Sequence, residues 1–255
     1  MSSARPPQPQ RPVVEALETK LLYSADVAPM AFLAAEVSAS SPQLAAPTDT
    51  ARTELVFIDA SVPDLQSLVD DLRRQSEQGR RIDVIVIQSG DDGLHRISEE
   101  LAGRQDVSAV HLLGHGQEGR MQLGLSTLDA STLLHHAQDV AAWGESLTAE
   151  ADILLYGCDV ATSEAGRALT RDLAQLTGSD VAASDDPTGH LSLGGDWLLE
   201  FSTGSIEART ALSETAMAQW TGLLAEATPG GKGTAVWNET GLTGPQQAAW
   251  DGLTL

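Results

Sequence analysis

The sequence has few basic residues, a single cysteine and no long apolar run. Its 255 residues include 15 lysines and arginines against 36 aspartates and glutamates, which gives a formal net charge of −21. This charge repels phosphate backbones, so we expect no nucleic-acid partner. The single cysteine, Cys158, excludes an internal disulfide and can act only as a free thiol. No run approaches the roughly 18 apolar residues of a membrane helix, so no membrane span is predicted.

The beginning of the chain also lacks the pattern of a secretory signal peptide. The opening segment, MSSARPPQPQRPVVEALETK, has no basic start followed directly by an apolar stretch. Export by the general secretory route is therefore not expected. Type I exported proteins carry their signal at the C-terminus, so this lack does not indicate a cytoplasmic protein.

Composition divides the chain into three parts. Residues 1–52 are rich in Pro, Ser, Ala and Thr, which predicts a disordered arm with one short ordered element at 15–26. Residues 53–222 show the alternating pattern of a folded α/β domain. Residues 223–255 begin as a Gly-rich linker and predict the start of a further module.

Within the domain, apolar strand-like runs alternate with amphipathic helical patterns. The runs are ELVFIDA at 54–60, IDVIVIQSG at 82–90, SAVHLLGHG at 108–116 and ADILLYGCDV at 151–160. Continuous apolar strands followed by helices are typical of a mostly parallel sheet covered on both faces. We therefore predict an α/β fold of three layers, ending in a β-hairpin whose turn lies at 194–196.

A reactive side chain follows each of two consecutive strands of this pattern. His115 comes at the end of one and Cys158 at the end of the next, where sites form in parallel α/β sheets. If the strands are neighbours, their ends lie about 5 Å apart, and the imidazole can reach the thiol. That imidazole, together with a helix beginning near Ser163, would lower the thiol pKa and produce a nucleophile for acyl transfer.

Glycines flank both residues. Gly114, Gly116 and Gly157 leave the backbone bare, so the N–H groups near Gly116 and Cys158 are candidates for holding an oxyanion. Purely structural roles for Cys158 and His115 stay open beside the catalytic interpretation. A cysteine that ends an apolar strand is often a small buried hydrophobe, and a histidine there can serve packing alone.

No metal site or cofactor is predicted. HLLGH has two histidines four residues apart, but on a strand His111 and His115 would stand about 13 Å apart. The zinc pair with this spacing requires a helix and an acidic residue between the histidines, and this segment offers neither.

The motifs resemble those of known families. HLLGHG and ILLYGCDV are similar to the His-Gly and Cys signatures of caspase-like cysteine peptidases such as gingipains and clostripain. Residues 54–205 more closely resemble an uncharacterised domain near the N-termini of large bacterial RTX and cadherin-like adhesins, through VFIDASVPD, GHG, YGCDVA and GGDWLLE. LETKLLYSAD is similar to a short element, LEPR-like in sequence, that often precedes that domain.

The resemblance implies a caspase-like fold with Cys158 as nucleophile and His115 as acid or base. It also implies an extracellular or cell-surface protein exported by a type I route. In caspase-like peptidases the first specificity pocket uses positions that here hold Asp59, Asp185 and Asp186, which would favour a basic residue before the cut bond. The alternative is that Asp59 helps to cap a helix starting near Val62 and that 185–187 form a turn.

The leading hypothesis is therefore a cysteine peptidase that acts on a peptide or protein, including its own chain. The rival hypothesis is a non-catalytic module that keeps the fold and serves assembly, export or adhesion of a large surface protein.

Overall fold

The computed structural model describes residues 52–225. This part of the chain contains nine strands and six α-helices. The strands are β1 Thr53–Asp59, β2 Ile82–Ile87, β3 Val107–Leu113, β4 Gly116–Gln117, β5 Arg120–Leu123, β6 Ser126–Asp129, β7 Leu147–Tyr156, β8 Asp180–Ala183 and β9 Phe201–Ser202. The helices are α1 Leu65–Glu77, α2 Gly93–Leu101, α3 Ala130–His135, α4 Ala137–Trp143, α5 Glu164–Thr177 and α6 Glu214–Gln219.

Six strands form the central sheet, in the order β2-β1-β3-β7-β8-β9. The first five are parallel, and β9 pairs antiparallel with β8 at the edge. Strands β4, β5 and β6 form a separate antiparallel sheet between β3 and α3 in the sequence. The predicted parallel sheet is thus confirmed, and β3 and β7 are neighbours.

Two apolar cores lie on opposite faces of the central sheet. Successive residues of β1 alternate between them: Phe57 belongs to the core shared with α2, α4 and α5, whereas Val56 and Ile58 belong to the core shared with α1 and α6. This alternation follows the two-residue period of a strand. The arrangement confirms a three-layer α/β fold. None of the helices within residues 52–225 is long and apolar enough to cross a membrane.

Two local expectations are wrong. No hairpin turns at 194–196, because Leu191–Leu193 is a short 3-10 helix that Gly194 ends at φ 83°, and β9 pairs with β8 instead. Helix α1 begins at Leu65 rather than near Val62, and Asp64 precedes it at φ 48° without a side-chain cap. The Ser61 side chain does not cap that helix, because its hydroxyl donates to Asp59.

The last described residues belong to the domain. Leu224 is fully buried and Leu223 packs on the core beneath α1 and α6, although the linker was expected to begin at 223. The expected arm, apart from Arg52, and residues 226–255 lie outside the described residues.

Candidate active site at adjoining strand ends

The ends of β3 and β7 are pressed together at glycines. The two strands stay in register to Leu113 and Tyr156, and the Gly114 amide then donates to the Tyr156 carbonyl at 3.1 Å. A Cβ on Gly116 would lie 2.6 Å from the carbonyl carbon of Gly157 and 2.8 Å from the Cys158 nitrogen. Only glycine at position 116 permits this approach, which brings the loops carrying His115 and Cys158 side by side.

The His115 ring is oriented by a backbone carbonyl. Its Nε2 atom lies 3.2 Å from the carbonyl oxygen of Ser61, just beyond β1. Because a carbonyl only accepts, Nε2 carries the proton in the neutral ring and Nδ1 is left as a base. Nδ1 is buried and has no hydrogen-bond partner. The ring is therefore held with an unused proton acceptor.

The thiol of Cys158 is enclosed. The residue is 1% exposed, and the Thr188 amide donates to Sγ at 3.2 Å, while the Thr188 carbonyl lies 3.6 Å from Sγ. Burial raises the pKa of the thiol to about 12 against the lowering effect of the Thr188 amide. The expected lowering of this pKa is wrong for this state of the protein. No hydrogen bond links Sγ to the imidazole in the structure of residues 52–225.

Two backbone amides next to the thiol converge on one carbonyl oxygen. The Gly116 amide donates to the Leu224 carbonyl at 2.8 Å, and the Cys158 amide donates to the same oxygen at 3.1 Å. The Leu224 amide in turn donates to the Thr188 carbonyl at 2.9 Å, and the His190 amide donates to the Gly222 carbonyl at 2.9 Å. Residues 222–225 thus run along 188–190 as an extended chain whose Leu224 carbonyl faces the two amides.

Asp59 is buried beside this site, with its carboxylate already bonded. It accepts hydrogen bonds from the Ser61 amide at 2.8 Å, from the Ser61 hydroxyl and from the Gly124 amide at 2.5 Å. These bonds close the turn after β1 whose Ser61 carbonyl contacts His115. In this structure Asp59 shapes the loop that orients the imidazole.

Asp185 and Asp186 lie in the loop after β8, which pairs with the loop after Cys158. The Asp186 carbonyl accepts from the Asp159 amide at 2.8 Å. The Asp185 carboxylate forms an ion pair with Arg167 at 3.4 Å. Burial and the neighbouring carboxylates, Glu200 first among them, raise the pKa of Asp186.

Two groups of carboxylates in the described part have ligand oxygens within 4.8 Å of one another; they are Asp186, Asp196 and Glu200, and Asp152, Asp180 and Glu207. Acidic clusters of this kind are common without an ion, so they do not define a metal site. His111 is not part of the candidate site. It is fully buried within β3, where its Nε2 contacts the Glu54 carboxylate at 3.0 Å.

Three contributors to the site had no signal in the sequence motifs. Ser61 and Thr188 act through backbone groups, which any residue except proline at a donor position can supply. Leu224 lies in a stretch that reads as the beginning of a linker. The position of Ser61 was within reach of inference, because β1 neighbours β3 and its end must therefore lie near His115.

These features define a class of α/β protein in which a thiol and an imidazole follow adjoining parallel strands beside two convergent amides. The chain belongs to the family described as domain of unknown function DUF4347, whose model matches residues 55–224. No curated protein matches the chain.

Proposed function

We propose that the domain is a cysteine peptidase in which Cys158 is the nucleophile and His115 the acid and base. The observation that carries this proposal is the pair of amides, Gly116 and Cys158, that donate to one carbonyl oxygen. An oxyanion hole aims its donors at the position that the oxygen of the tetrahedral intermediate will occupy, and these two amides already converge on a single oxygen, at 2.8 and 3.1 Å. One of these donors belongs to the cysteine itself, so a carbonyl held there lies next to the thiol.

The second support is the imidazole of His115. Its protonated Nε2 faces the Ser61 carbonyl, which leaves the basic Nδ1 without a partner. A ring anchored in this way can accept the thiol proton and later return it to the leaving amine. The resemblance of HLLGHG and ILLYGCDV to the caspase-like peptidase signatures agrees with these roles.

The reaction is a two-step acyl transfer. The Cys158 proton moves to Nδ1 of His115, and Sγ forms a bond to the carbonyl carbon while the oxyanion is held by the two amides. The carbon–nitrogen bond then breaks, the amine takes the proton from His115, and a thioester remains. Water, deprotonated by His115, hydrolyses the thioester and restores the thiol.

A specific observation favours the rival function, a non-catalytic module. Cys158 is 1% exposed and its pKa is raised by burial, so the thiol is protected in the state described. The same burial results if residues 222–225 fill the substrate groove of a peptidase. The two functions therefore differ in what happens when this segment is displaced.

Displacement can be produced by Gly222→Val. A Cβ at this position would lie 2.7 Å from the Trp220 ring, and because that ring is buried in the core, we expect the segment to move. We expect this variant to react quickly with a peptidyl chloromethyl ketone, which places a carbonyl at the amides, and to cleave peptides in trans. Gly90→Val is the matched control, because a Cβ on Gly90 meets nothing within 4 Å.

The His115→Gln change in the Gly222→Val background separates the hypotheses. A peptidase loses both labelling and cleavage, whereas a merely exposed cysteine labels at an unchanged rate. Peptides with leucine, lysine or arginine before the cut bond also test the pocket. A preference for the basic residues that is lost in Asp185→Ala or Asp186→Ala would support the acidic pocket.

A further inference from the structure

Residues 222–225 lie in a groove formed by residues 188–190, Gly116 and Cys158, and they have the arrangement of a bound substrate. Its backbone forms four hydrogen bonds with the site, through the Gly222 carbonyl, the Leu224 amide and the Leu224 carbonyl, which accepts two of them. The acceptors and donors on the other side are all backbone groups of His190, Thr188, Gly116 and Cys158. An extended peptide held by main-chain bonds along a strand-like edge is a common mode of peptide recognition.

The side chains of the segment fit the same description. Leu224 is fully buried and belongs to the apolar core that also contains Cys158 and Trp220. Ala225 follows it and is exposed. The carbonyl at the two amides thus belongs to a buried residue, and the next peptide nitrogen belongs to the exposed Ala225, which forms a parallel bridge with Gly116.

The partners of Leu224 place its peptide group beside the thiol from two directions. Its oxygen accepts from the Cys158 amide at 3.1 Å, and its nitrogen donates at 2.9 Å to the Thr188 carbonyl, which lies 3.6 Å from Sγ. Close positioning of this kind supplies much of the rate of an intramolecular reaction.

We propose that the bond between Leu224 and Ala225 is the natural substrate of this site, cut within its own chain. This inference rests on the proposed peptidase function. Sγ bonds to the Leu224 carbonyl carbon, the bond to the Ala225 nitrogen breaks, and that nitrogen takes the proton from His115. One water molecule then hydrolyses the thioester. The products are a chain ending in the Leu224 carboxylate and a peptide of residues 225–255 with a free amino group.

The position of Leu224 also indicates the first specificity pocket. Leu224 occupies a buried apolar pocket, so the residue before the cut bond is apolar in the natural substrate. This differs from the basic residue that the acidic positions predict. The segment remains held by its hydrogen bonds after the cut, so the domain keeps its thiol covered.

The test is intact-mass measurement of the purified chain of residues 1–255 during incubation at neutral pH. We expect conversion to the chain ending at Leu224, together with a peptide whose N-terminal sequence is AEATPGG. The Cys158→Ala and His115→Gln variants should stay intact. Wild-type protein that stays intact, or that is cut only at another bond, overturns the proposal.

Two further variants address the cut bond without touching the nucleophile. Ala225→Pro changes an exposed residue and makes the bond a tertiary amide, so we expect cleavage to stop while folding is retained. Leu224→Lys puts a charge in the apolar pocket and should prevent cleavage, whereas Leu191→Lys, at a leucine that is 81% exposed, should be cut like wild type. Cleavage of Leu224→Lys at the wild-type rate would remove Leu224 from the pocket.

The chloromethyl ketone assay on Gly222→Val distinguishes the two proposals. Labelling that depends on His115, combined with an intact wild-type chain, means that the peptidase function stands and that the self-cleavage proposal fails. Absence of both reactions means that the peptidase function itself fails.

Discussion

At the scale of single residues, the site depends on backbone groups that side-chain motifs do not display. The placement of His115 and Cys158 at the ends of neighbouring strands was predictable, because each of them follows an apolar strand and is flanked by glycine. Their hydrogen-bond partners could not be predicted, because these partners are backbone groups, which nearly every residue carries. They are the Ser61 carbonyl, the Thr188 amide and the Leu224 carbonyl. The thiol pKa was predicted in the wrong direction, since burial of the thiol outweighs the hydrogen bond from the Thr188 amide and the Asp159 and Asp186 carboxylates raise the pKa further.

Gly116 provides the most direct test of the proposed oxyanion site at this scale. In Gly116→Ala the new Cβ would lie 2.6 Å from the Gly157 carbonyl carbon and 2.7 Å from the Cys158 oxygen, so the loops must separate. Loss of one oxyanion donor typically costs a factor of about 10² to 10³ in rate. We expect such a decrease in chloromethyl ketone labelling in the Gly222→Val background. The same change at Gly90 serves as control, and an unchanged rate in Gly116→Ala would contradict the role of the two amides.

The pair formed by the buried His111 and the half-buried Glu54 makes stability depend on pH. Burial lowers the pKa of His111 from 6.5, so below that pH the unfolded chain takes up a proton that the folded protein does not. Burial would raise the pKa of Glu54, but hydrogen bonds with His111 and Arg80 lower it to about 2, and again the unfolded chain binds the proton first, near pH 4.5. The free energy of unfolding therefore falls as the pH drops below about 6.5, and more steeply below 4.5.

Urea unfolding at pH 7.5, 5.5 and 4.5 measures this dependence. His111→Gln should flatten the decrease between pH 7.5 and 5.5, by at most about 1.4 kcal/mol per pH unit. His95→Gln is the matched control, because that side chain is 70% exposed. Identical pH profiles for His111→Gln and wild type would contradict the assignment.

At the scale of elements, regular periodicity was predictable and irregular pairing was not. Strands β1, β2, β3 and β7 were evident from continuous apolar runs, and their ends meet because parallel neighbours keep register. The hairpin failed because two extended-looking runs around 194–196 contain a 3-10 helix and a single bridged position rather than a ladder. Residues 222–225 were not predicted as a strand, because four residues are too few to show a periodic hydrophobic pattern. In the structure they pair with Gly189 and with Gly116 through isolated bridges.

The pairing between residues 222–225 and residues 188–190 can also be loosened by a substitution at Gly189. Gly189 has φ 143°, and a Cβ there would lie 2.4 Å from the Gly222 carbonyl oxygen, so Gly189→Ala should push the groove-filling segment away. The thiol would then lose part of the enclosure that raises its pKa. We expect iodoacetamide to modify Cys158 at least tenfold faster in this variant than in wild type at pH 7.5. Gly178→Ala, also at positive φ but with open space around its Cβ, controls for backbone strain. Equal rates in all three proteins would show that the segment does not shield the thiol.

At the scale of the whole molecule, the groove and the segment that fills it belong to one chain. The family model matches residues 55–224, and so includes Leu224, whose carbonyl accepts from the Gly116 and Cys158 amides. If the proposed self-cleavage occurs, it needs no encounter between molecules, because the Leu224 carbonyl is already held by the Cys158 amide. A peptidase that meets its substrate in this way performs one turnover and then holds its own product.

This arrangement predicts the kinetic order of the cleavage. The rate constant for appearance of the peptide of residues 225–255 should stay the same over a hundredfold dilution of the protein, since cleavage between molecules would slow in proportion. Mixing gives an independent check: a Cys158→Ala chain, distinguished by isotope labelling, should remain uncut beside excess wild-type protein, because its own segment occupies its groove and its Leu224 is buried. Cleavage of the labelled chain by wild type, or a rate constant that rises with concentration, would show that the bond is reached from another molecule and that the segment leaves its groove before the reaction.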